Sequence, residues 1–305
     1  MLAFIHIHKT AGTTVVWILR SSFGSRHCEP HPTRRRPDSQ PWEAPLTAHD
    51  LRASLKAYPK LESISGHCVQ PHTDLEAVVP DIQYCTLVRD PLKMRASMYQ
   101  HRVLALGAKN VTLERWLAEE QSQNRQTKIL AGCADAARAL RLILHKQILV
   151  GTTESFDESM LLVQRLLAPN LNIIYRRMRV TDDNHVARDV LECPRTRAML
   201  MEGNEQDMEL YRVIRDEIYP EQRHRYGKGL DADLRAYQDQ LAQYRNRQVS
   251  ARLLRGTRFS KMAILFDPAP FNRWRLISYL FKQQISQRGQ RVNHTQAHLP
   301  TFTPT

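Results

Sequence analysis

Two short stretches of this chain combine residue types that bind anions. The first, FIHIHKTAGTT at residues 4–14, passes from an apolar segment through Lys9 and Gly12 into an apolar run that starts at Val15. This pattern predicts a strand, a tight loop and a helix, an arrangement that presents backbone N–H groups and the positive helix end to a phosphate. The second, RDPLKMRASMY at residues 89–99, follows a buried strand pattern at 82–88. Its first residues place a guanidinium at the end of that strand.

The order of residues in the first stretch argues against a nucleotide kinase. A kinase loop has the form G-x-x-x-x-G-K-[ST], with the lysine after the second glycine and a hydroxyl for Mg²⁺. Here Lys9 precedes Gly12. In the second stretch, Asp90 followed by Pro91 is a strong helix start, so Asp90 is better used as a cap than as a Mg²⁺ ligand. The loop suits a phosphate but suits Mg-ATP poorly, and a P-loop-type nucleotide kinase is kept as an alternative.

A hydroxyl in the second stretch is placed to act together with its arginine. Ser97 lies about two helical turns after Asp90, on the face that points back toward the strand end. We therefore expect Arg89 and Ser97 to converge on one anion. The alternative is that Arg89 only pairs with Asp90 while Ser97 packs in the core.

Taken together, the two stretches resemble the carbohydrate-type sulfotransferases that use 3′-phosphoadenosine 5′-phosphosulfate (PAPS), a group that includes heparan sulfate 2-O-sulfotransferase. The resemblance extends over about residues 3–226, through SGH at 65–67, NRQTKILAG at 124–132, VGTTESFDES at 150–159 and N-x-x-D-x-x-L-Y at 204–211. Two positions depart from the family. His8 stands where proline is usual, and the second arginine of the RDP motif is one place late, at Arg95, with Met94 in its position.

The resemblance implies transfer of a sulfuryl group from PAPS to a hydroxyl, on a carbohydrate, by in-line displacement at sulfur. It implies that Arg89 and Ser97 bind the donor's 3′-phosphate and that His67 takes the hydroxyl proton, a task that suits imidazole. Lys9 is expected to stabilise the departing 5′-phosphate, and no metal is required. The loop residues expected to hold the 5′-phosphosulfate are Lys9, Thr10, Ala11, Gly12, Thr13 and Thr14. Other candidate bases are His72, His101 and Glu154, and residues expected along the cleft are Asn124, Gln126, Thr127 and Lys128.

The wider pattern of the chain predicts an α/β fold. Apolar strand patterns at 2–7, 61–68, 82–88, 148–152 and 172–175 alternate with helical patterns, which predicts a P-loop-like three-layer fold with a mostly parallel central sheet flanked by helices. Residues 27–45 are rich in proline and arginine and predict an irregular loop. The five cysteines show neither zinc-ligand spacing nor a disulfide framework. No signal-peptide pattern or membrane-length apolar run occurs, so we expect a cytoplasmic protein or a fragment that lacks its anchor.

The positive charge of the chain is concentrated at its C-terminal end. Residues 241–305 carry eleven basic residues and one acid, and so hold +10 of the net charge of +13. We therefore predict a sulfotransferase domain at 1–240 and a basic extension at 241–305, helical with a disordered end. The extension could bind an anionic polymer or a membrane surface, with no specific nucleic acid expected. A non-enzymatic polyanion-binding protein that acts through this tail is the second alternative.

Overall fold

Five parallel strands form the central sheet of the computed structural model, which describes residues 1–32, 44–105, 111–119, 123–175 and 185–254. The strand order is β2-β3-β1-β4-β5, and every neighbouring pair is parallel. The predicted α/β fold with a mostly parallel sheet is confirmed. The strands are β1 (Leu2–Ile5), β2 (His27–Cys28), β3 (Ser63–Gly66), β4 (Gln83–Val88) and β5 (Leu149–Thr152).

Helices connect the strands and follow the last of them. The helix start predicted at Asp90 is confirmed, because its side chain accepts from the N–H of Lys93. At another start, the side chain of Thr47 accepts from the backbone N–H of Asp50. The helices are α1 (Gly12–Phe23), α2 (Ala48–Ala57), α3 (Pro91–Gln100), α4 (Leu113–Leu117), α5 (Arg125–Ala131), α6 (Ala136–His145), α7 (Phe156–Leu166), α8 (His185–Glu192), α9 (Pro194–Met201), α10 (Glu205–Val213), α11 (Tyr219–Tyr226) and α12 (Leu230–Leu254).

The sheet is covered on both faces because alternate strand residues are apolar on each side. Leu2 and Phe4 of β1 lie in one core cluster with residues of α1, α7 and α12. Ala3 and Ile5 lie in the other, with residues of α5, α6 and α10. A third cluster joins α3, α4, α8 and α9 beside the sheet. These layers are the three-layer arrangement that the sequence predicts.

Two local predictions were wrong. His27 and Cys28, assigned to an irregular loop, form strand β2 and pair with Ser63 and Ile64 of β3. The short strand was missed because it has only two residues and no apolar run.

The strand predicted at 172–175 is absent, and these described residues have no regular secondary structure. Side chains rather than a neighbouring strand satisfy the backbone there. The hydroxyl of Tyr237 donates to the carbonyl of Ile173, and the N–H of Asn172 donates to Ser22 Oγ. Ile173 and Tyr175 are nevertheless buried, so the apolar pattern marked burial correctly but not the type of structure.

Helix α12 continues through the boundary predicted at residue 240. The first compact unit of the chain is Met1–Val249, and Tyr237 and Leu241 of α12 are buried in its core. The second unit is Ser250–Thr305. The extension at 241–305 was predicted to be helical with a disordered end. Most of its residues lie outside those described, so this stays a prediction. Within the described residues, no helix is long and apolar enough to cross a membrane.

Candidate active site

Three adjacent strands deliver the predicted site residues to the same edge of the sheet. Strand β1 lies between β3 and β4, with Ile5 opposite both Gly66 and Thr86. The loop after β1, His67 after β3 and Arg89 after β4 therefore leave the sheet side by side at its carboxyl end. Ligands of open parallel sheets bind at this edge.

The loop after β1 has an unusual backbone. Lys9 and Ala11 have φ angles of 60° and 63°, the left-handed region that residues other than glycine rarely adopt. The buried hydroxyl of Thr10 donates to the carbonyl of Ile7 at 2.9 Å. The Thr10 side chain is thus used to hold the loop, and its predicted role as a ligand rests on its backbone N–H.

Gly12 is required at the start of α1 by a close contact. A Cβ atom at this position would lie 2.0 Å from Cδ2 of His6, so any side chain would displace the His6 ring. The helix is preceded by Ala11, which has no side-chain oxygen for capping, and its first turn of Gly12, Thr13 and Thr14 has no acid. No acid of its own first turn therefore neutralises the positive end of α1.

Arg89 connects the two stretches that the sequence predicts to bind anions. Its Nη1 donates to the carbonyl oxygen of Lys9 at 3.1 Å, across a separation of 80 residues. Burial lowers the pKa of Arg89, and the charges of Glu154 and Asp90 oppose that shift. A guanidinium has five N–H donors, so this bond to the loop leaves Arg89 able to bind an anion as well.

His67 lies beside the loop in a group of three imidazole rings. Its Nδ1 is hydrogen-bonded to the carbonyl oxygen of His6. Because a carbonyl can only accept, Nδ1 carries the proton and Nε2 has the lone pair. The ring of His8 is stacked on that of His67, with 3.7 Å between ring centroids and 7° between planes. The proline expected at position 8 could not form this aromatic stack.

The surroundings of His67 keep it neutral. Burial is the main cause that lowers its pKa to about 4, and the charge of Arg125 lowers it further, while the hydrogen bond to His6 opposes the shift. Burial and the neighbouring charges of His67 and Arg125 also lower the pKa of His8. At neutral pH the imidazole of His67 is therefore uncharged. Its proton is on Nδ1, and Nε2 carries no proton.

Arg125 is a site residue that the sequence reasoning missed. It is the first residue of α5 and influences both His8 and His67 electrostatically. It stands inside the NRQTKILAG stretch, between two residues that were singled out. The sequence did contain a signal for Arg125. It is a cation within a stretch that resembles the PAPS-dependent sulfotransferases, and their donor carries several negative charges.

Three residues expected along the cleft have supporting positions instead. Asn124, Gln126 and Thr127 are buried and hydrogen-bond to protein groups at the α5 and α10 starts and at Arg89. Lys128 is half-buried.

The remaining residues of the RDP motif differ in their surroundings. Met94 is in the core and Arg95 is 0% exposed. Arg95 Nη1 donates to the carbonyls of Leu200 and Glu202, so the displaced arginine holds the end of α9. Ser97 is half-buried in α3, and its convergence with Arg89 stays a prediction.

The alternative bases are less well placed than His67. Glu154 accepts from the backbone N–H of Asp90 at 3.1 Å, and His72 packs with its ring 3.0 Å from the position of a Cβ on Gly132. His101 lies in the π-helical turn His101–Ala105 and is exposed. Among the described residues, no group of three or more His, Cys, Asp or Glu side chains could hold a metal ion.

Comparison with known proteins also indicates a sulfotransferase. No family model matches the chain. The chain is similar to galactose-3-O-sulfotransferase 3. The mouse (Mus musculus) and human (Homo sapiens) proteins are each 29% identical to it over 208 residues, which cover 58% of this chain and 47% of theirs. The chain thus spans about half the length of the curated relatives it matches.

A solved sulfotransferase structure from Alicyclobacillus acidocaldarius is also similar. Its TM-score is 0.36 at 14% identity, and the match covers 69% of this chain and 98% of that one. The fold assignment above depends on the strand order and pairing of this chain.

Proposed function

We propose that this chain is a PAPS-dependent sulfotransferase that transfers a sulfuryl group to a hydroxyl of a carbohydrate. The observation that carries the proposal is the hydrogen bond from Arg89 Nη1 to the carbonyl of Lys9. It joins the loop that suits a 5′-phosphosulfate to the arginine that suits a 3′-phosphate. The similarity to galactose-3-O-sulfotransferase 3 supports the same reaction type.

The residues at the loop fit an anionic donor. Lys9 and Arg89 supply two cations, and the first turn of α1 supplies N–H groups with no nearby acid in the turn. In the proposed reaction an acceptor oxygen forms a bond to sulfur as the bond from sulfur to the 5′-phosphate oxygen breaks. Lys9 and the N–H groups of the loop stabilise the negative charge that gathers on that departing oxygen.

His67 accepts the proton of the acceptor hydroxyl at Nε2 in this mechanism. The bond from its Nδ1 to His6 fixes which nitrogen is available, and the lowered pKa keeps it unprotonated at pH 7. The low pKa also makes His67 a weak base, so proton transfer late in the reaction, when the attacking oxygen is most acidic, fits this residue best.

The finer acceptor class is also a proposal. The sequence motifs resemble the family of heparan sulfate 2-O-sulfotransferase, whereas the curated relatives are named for the 3-O position of galactose. We propose a galactose-containing glycan as the first acceptor to test, because that relationship rests on an alignment of 208 residues rather than on short motifs.

The donor site is tested first, by calorimetric titration with adenosine 3′,5′-bisphosphate, 5′-AMP and Mg-ATP. We expect the bisphosphate to bind most tightly and without metal, and Arg89→Ala to lose about tenfold or more of its affinity because a charged partner of the 3′-phosphate is removed. Equal or better binding of Mg-ATP by the wild type would contradict the proposal and favour a nucleotide kinase.

The chemical step is tested with His67→Gln and radiolabelled PAPS. Galactose-terminated glycans and heparan sulfate serve as acceptors. We expect the variant to lose about 100-fold or more of the turnover and to bind the bisphosphate as the wild type does. Unchanged turnover in His67→Gln would exclude His67 as the base.

A further inference from the structure

The buried carboxamide of Gln126 is hydrogen-bonded to both backbone groups of Arg89. Its Oε1 accepts from the N–H of Arg89 at 2.9 Å, and its Nε2 donates to the carbonyl of the same residue at 2.9 Å. Gln126 is 0% exposed. The side chain thus pairs with Arg89 as a neighbouring strand would, at the point where the pairing of β4 with β5 ends at Val88 and Thr152.

A second set of hydrogen bonds fixes Gln126 itself. The buried carboxylate of Asp207 accepts from the N–H of Gln126 at 3.0 Å and from the N–H and hydroxyl of Thr127, both at 2.7 Å. In return, Oδ1 of Asn124 accepts from the N–H groups of Gln206 and Asp207 at 3.0 and 3.1 Å. Each of the helices α5 and α10 therefore caps the first turn of the other.

Residues that follow β5 bond to the backbone on either side of Arg89, at Val88 and Asp90. The N–H of Thr153 donates to the carbonyl of Val88 at 2.8 Å, and Oε1 of Glu154 accepts from the N–H of Asp90 at 3.1 Å. Arg89 is consequently the middle of a turn whose backbone is bonded from both sides. The direction of its side chain, and so the bond from Nη1 to Lys9, depends on that backbone.

We propose that Gln126 is a positioning residue of the donor site, which orients the backbone of Arg89 so that the guanidinium can bind the loop and a 3′-phosphate together. This inference rests on the proposed function. It gives a role to the stretches at 124–132 and 204–211, which contribute Gln126 and the Asp207 carboxylate that holds it. Gln126 acts through Arg89 and does not itself contact the donor.

The chain provides a matched control in Gln222. This glutamine is 4% exposed, and its Oε1 accepts from the N–H of Val150 in β5 at 2.9 Å while its Nε2 donates to the carbonyl of Ile218. Gln222 is also a buried carboxamide bonded to a strand, but its hydrogen-bond partners are Val150 and Ile218 rather than Arg89. Gln222→Met should therefore reproduce the loss of stability without the effect on Arg89.

The experiment measures the dissociation constants of adenosine 3′,5′-bisphosphate and 5′-AMP for the full chain and its variants. The ratio of the two constants isolates the contribution of the 3′-phosphate. In Gln126→Met we expect this preference to fall by about tenfold, with a smaller loss of affinity for 5′-AMP, because the loop loses its contact with Arg89 but keeps its internal hydrogen bond from Thr10 to Ile7. In Gln222→Met it should stay within about twofold of the wild type.

Gln126→Glu is the second variant, and it protects the test against a Gln126→Met protein that fails to fold. The glutamate keeps the shape and the acceptor toward the N–H of Arg89 but, when ionised, faces its carbonyl with an oxygen instead of a donor, so the preference should fall at least as far as in Gln126→Met. A preference retained in the soluble Gln126 variants would overturn the inference and leave the proposed function intact. A wild type without any preference for the bisphosphate would overturn both.

Discussion

At the scale of single residues, the candidate site contains a histidine with a fixed tautomer, which burial and one nearby cation keep neutral. His67 has its proton on Nδ1 because that atom is bonded to the carbonyl of His6, and its ring is stacked on His8. Burial and Arg125 both lower its pKa. His8, at the position where the resembled family usually has proline, therefore gives the candidate base an aromatic ring to stack on. A proline could not provide that ring.

The pH dependence of transfer should report the pKa of His67. Only the neutral imidazole can accept a proton, and its pKa is lowered to about 4. Activity should persist as the pH falls below 6.5, the usual histidine value, and be lost as the pH falls through about 4. Arg125→Gln removes a positive charge that disfavours the imidazolium, so the acidic limb of the kcat/KM profile, which reports the free enzyme, should move to higher pH.

The control for this measurement is Arg138→Gln. Arg138 is an exposed residue of α6 and does not contribute to the pKa shift of His67, so its removal should leave the limb in place. The shift in Arg125→Gln should stop short of 6.5 because burial, the larger cause, remains. An identical limb in the wild type and in Arg125→Gln would contradict the electrostatic role of Arg125.

At the scale of elements, the reciprocal capping of α5 and α10 holds the site from behind. The two helix starts lie in the stretches 124–132 and 204–211, both of which carry the family resemblance. Neither stretch by itself indicates that it bonds to the other. Each helix supplies the acceptor that the other lacks: Asn124 for α10 and Asp207 for α5. Burial raises the pKa of Asp207, and the hydrogen bonds from Thr127 and Gln126 and the charge of Arg95 oppose that shift.

Asp207→Asn should destabilise the protein by about 1–3 kcal/mol. The new amide would keep one oxygen acceptor but present an NH₂ group to a backbone N–H, which leaves a buried donor unsatisfied. Urea denaturation measures the change. Asp135→Asn is the matched control, because Asp135 also caps a helix through the N–H of Arg138 but on the surface, where asparagine caps about equally well.

Equal midpoints for wild type and Asp207→Asn would show that the reciprocal caps contribute little. A loss of stability in Asp135→Asn as large as that in Asp207→Asn would show that burial of the carboxylate is not the deciding factor.

At the scale of the whole molecule, every residue assigned above to the candidate site lies within the first compact unit, Met1–Val249. The basic residues after it are separate in sequence from every residue of the candidate site. The charge change begins at residue 241 within helix α12, and Leu241 itself is 2% exposed and packed in the core of that unit.

Removal of residues 255–305 should leave binding of adenosine 3′,5′-bisphosphate within about threefold of the full chain. Calorimetry measures the binding, and elution from a heparin column with salt measures what the basic residues add, since a contact with a polyanion weakens as salt rises. A matched truncation after residue 240 should be less stable because it removes Leu241. Loss of bisphosphate binding on removal of 255–305 alone would place part of the donor site in the tail.

The sequence by itself determined the local pieces of this protein. The loop at Lys9, the helix start at Asp90-Pro91 and the alternation of strands and helices all follow from short-range rules of turn, cap and apolar spacing. They were readable because each depends on a few neighbouring residues. Their combination also predicted the α/β fold, because strands joined by helices return to the sheet in parallel.

Only the tertiary structure decided how distant residues are used. It paired Gln126 with Arg89, placed Arg125 near His67, and turned Arg95 inward to the end of α9. It also left residues 172–175 without a partner strand while keeping Ile173 buried. These outcomes depend on which groups meet across 37 to 105 residues of chain. No local pattern encodes such meetings, because a side chain's type fixes what it can bond to but not which atom will be nearby.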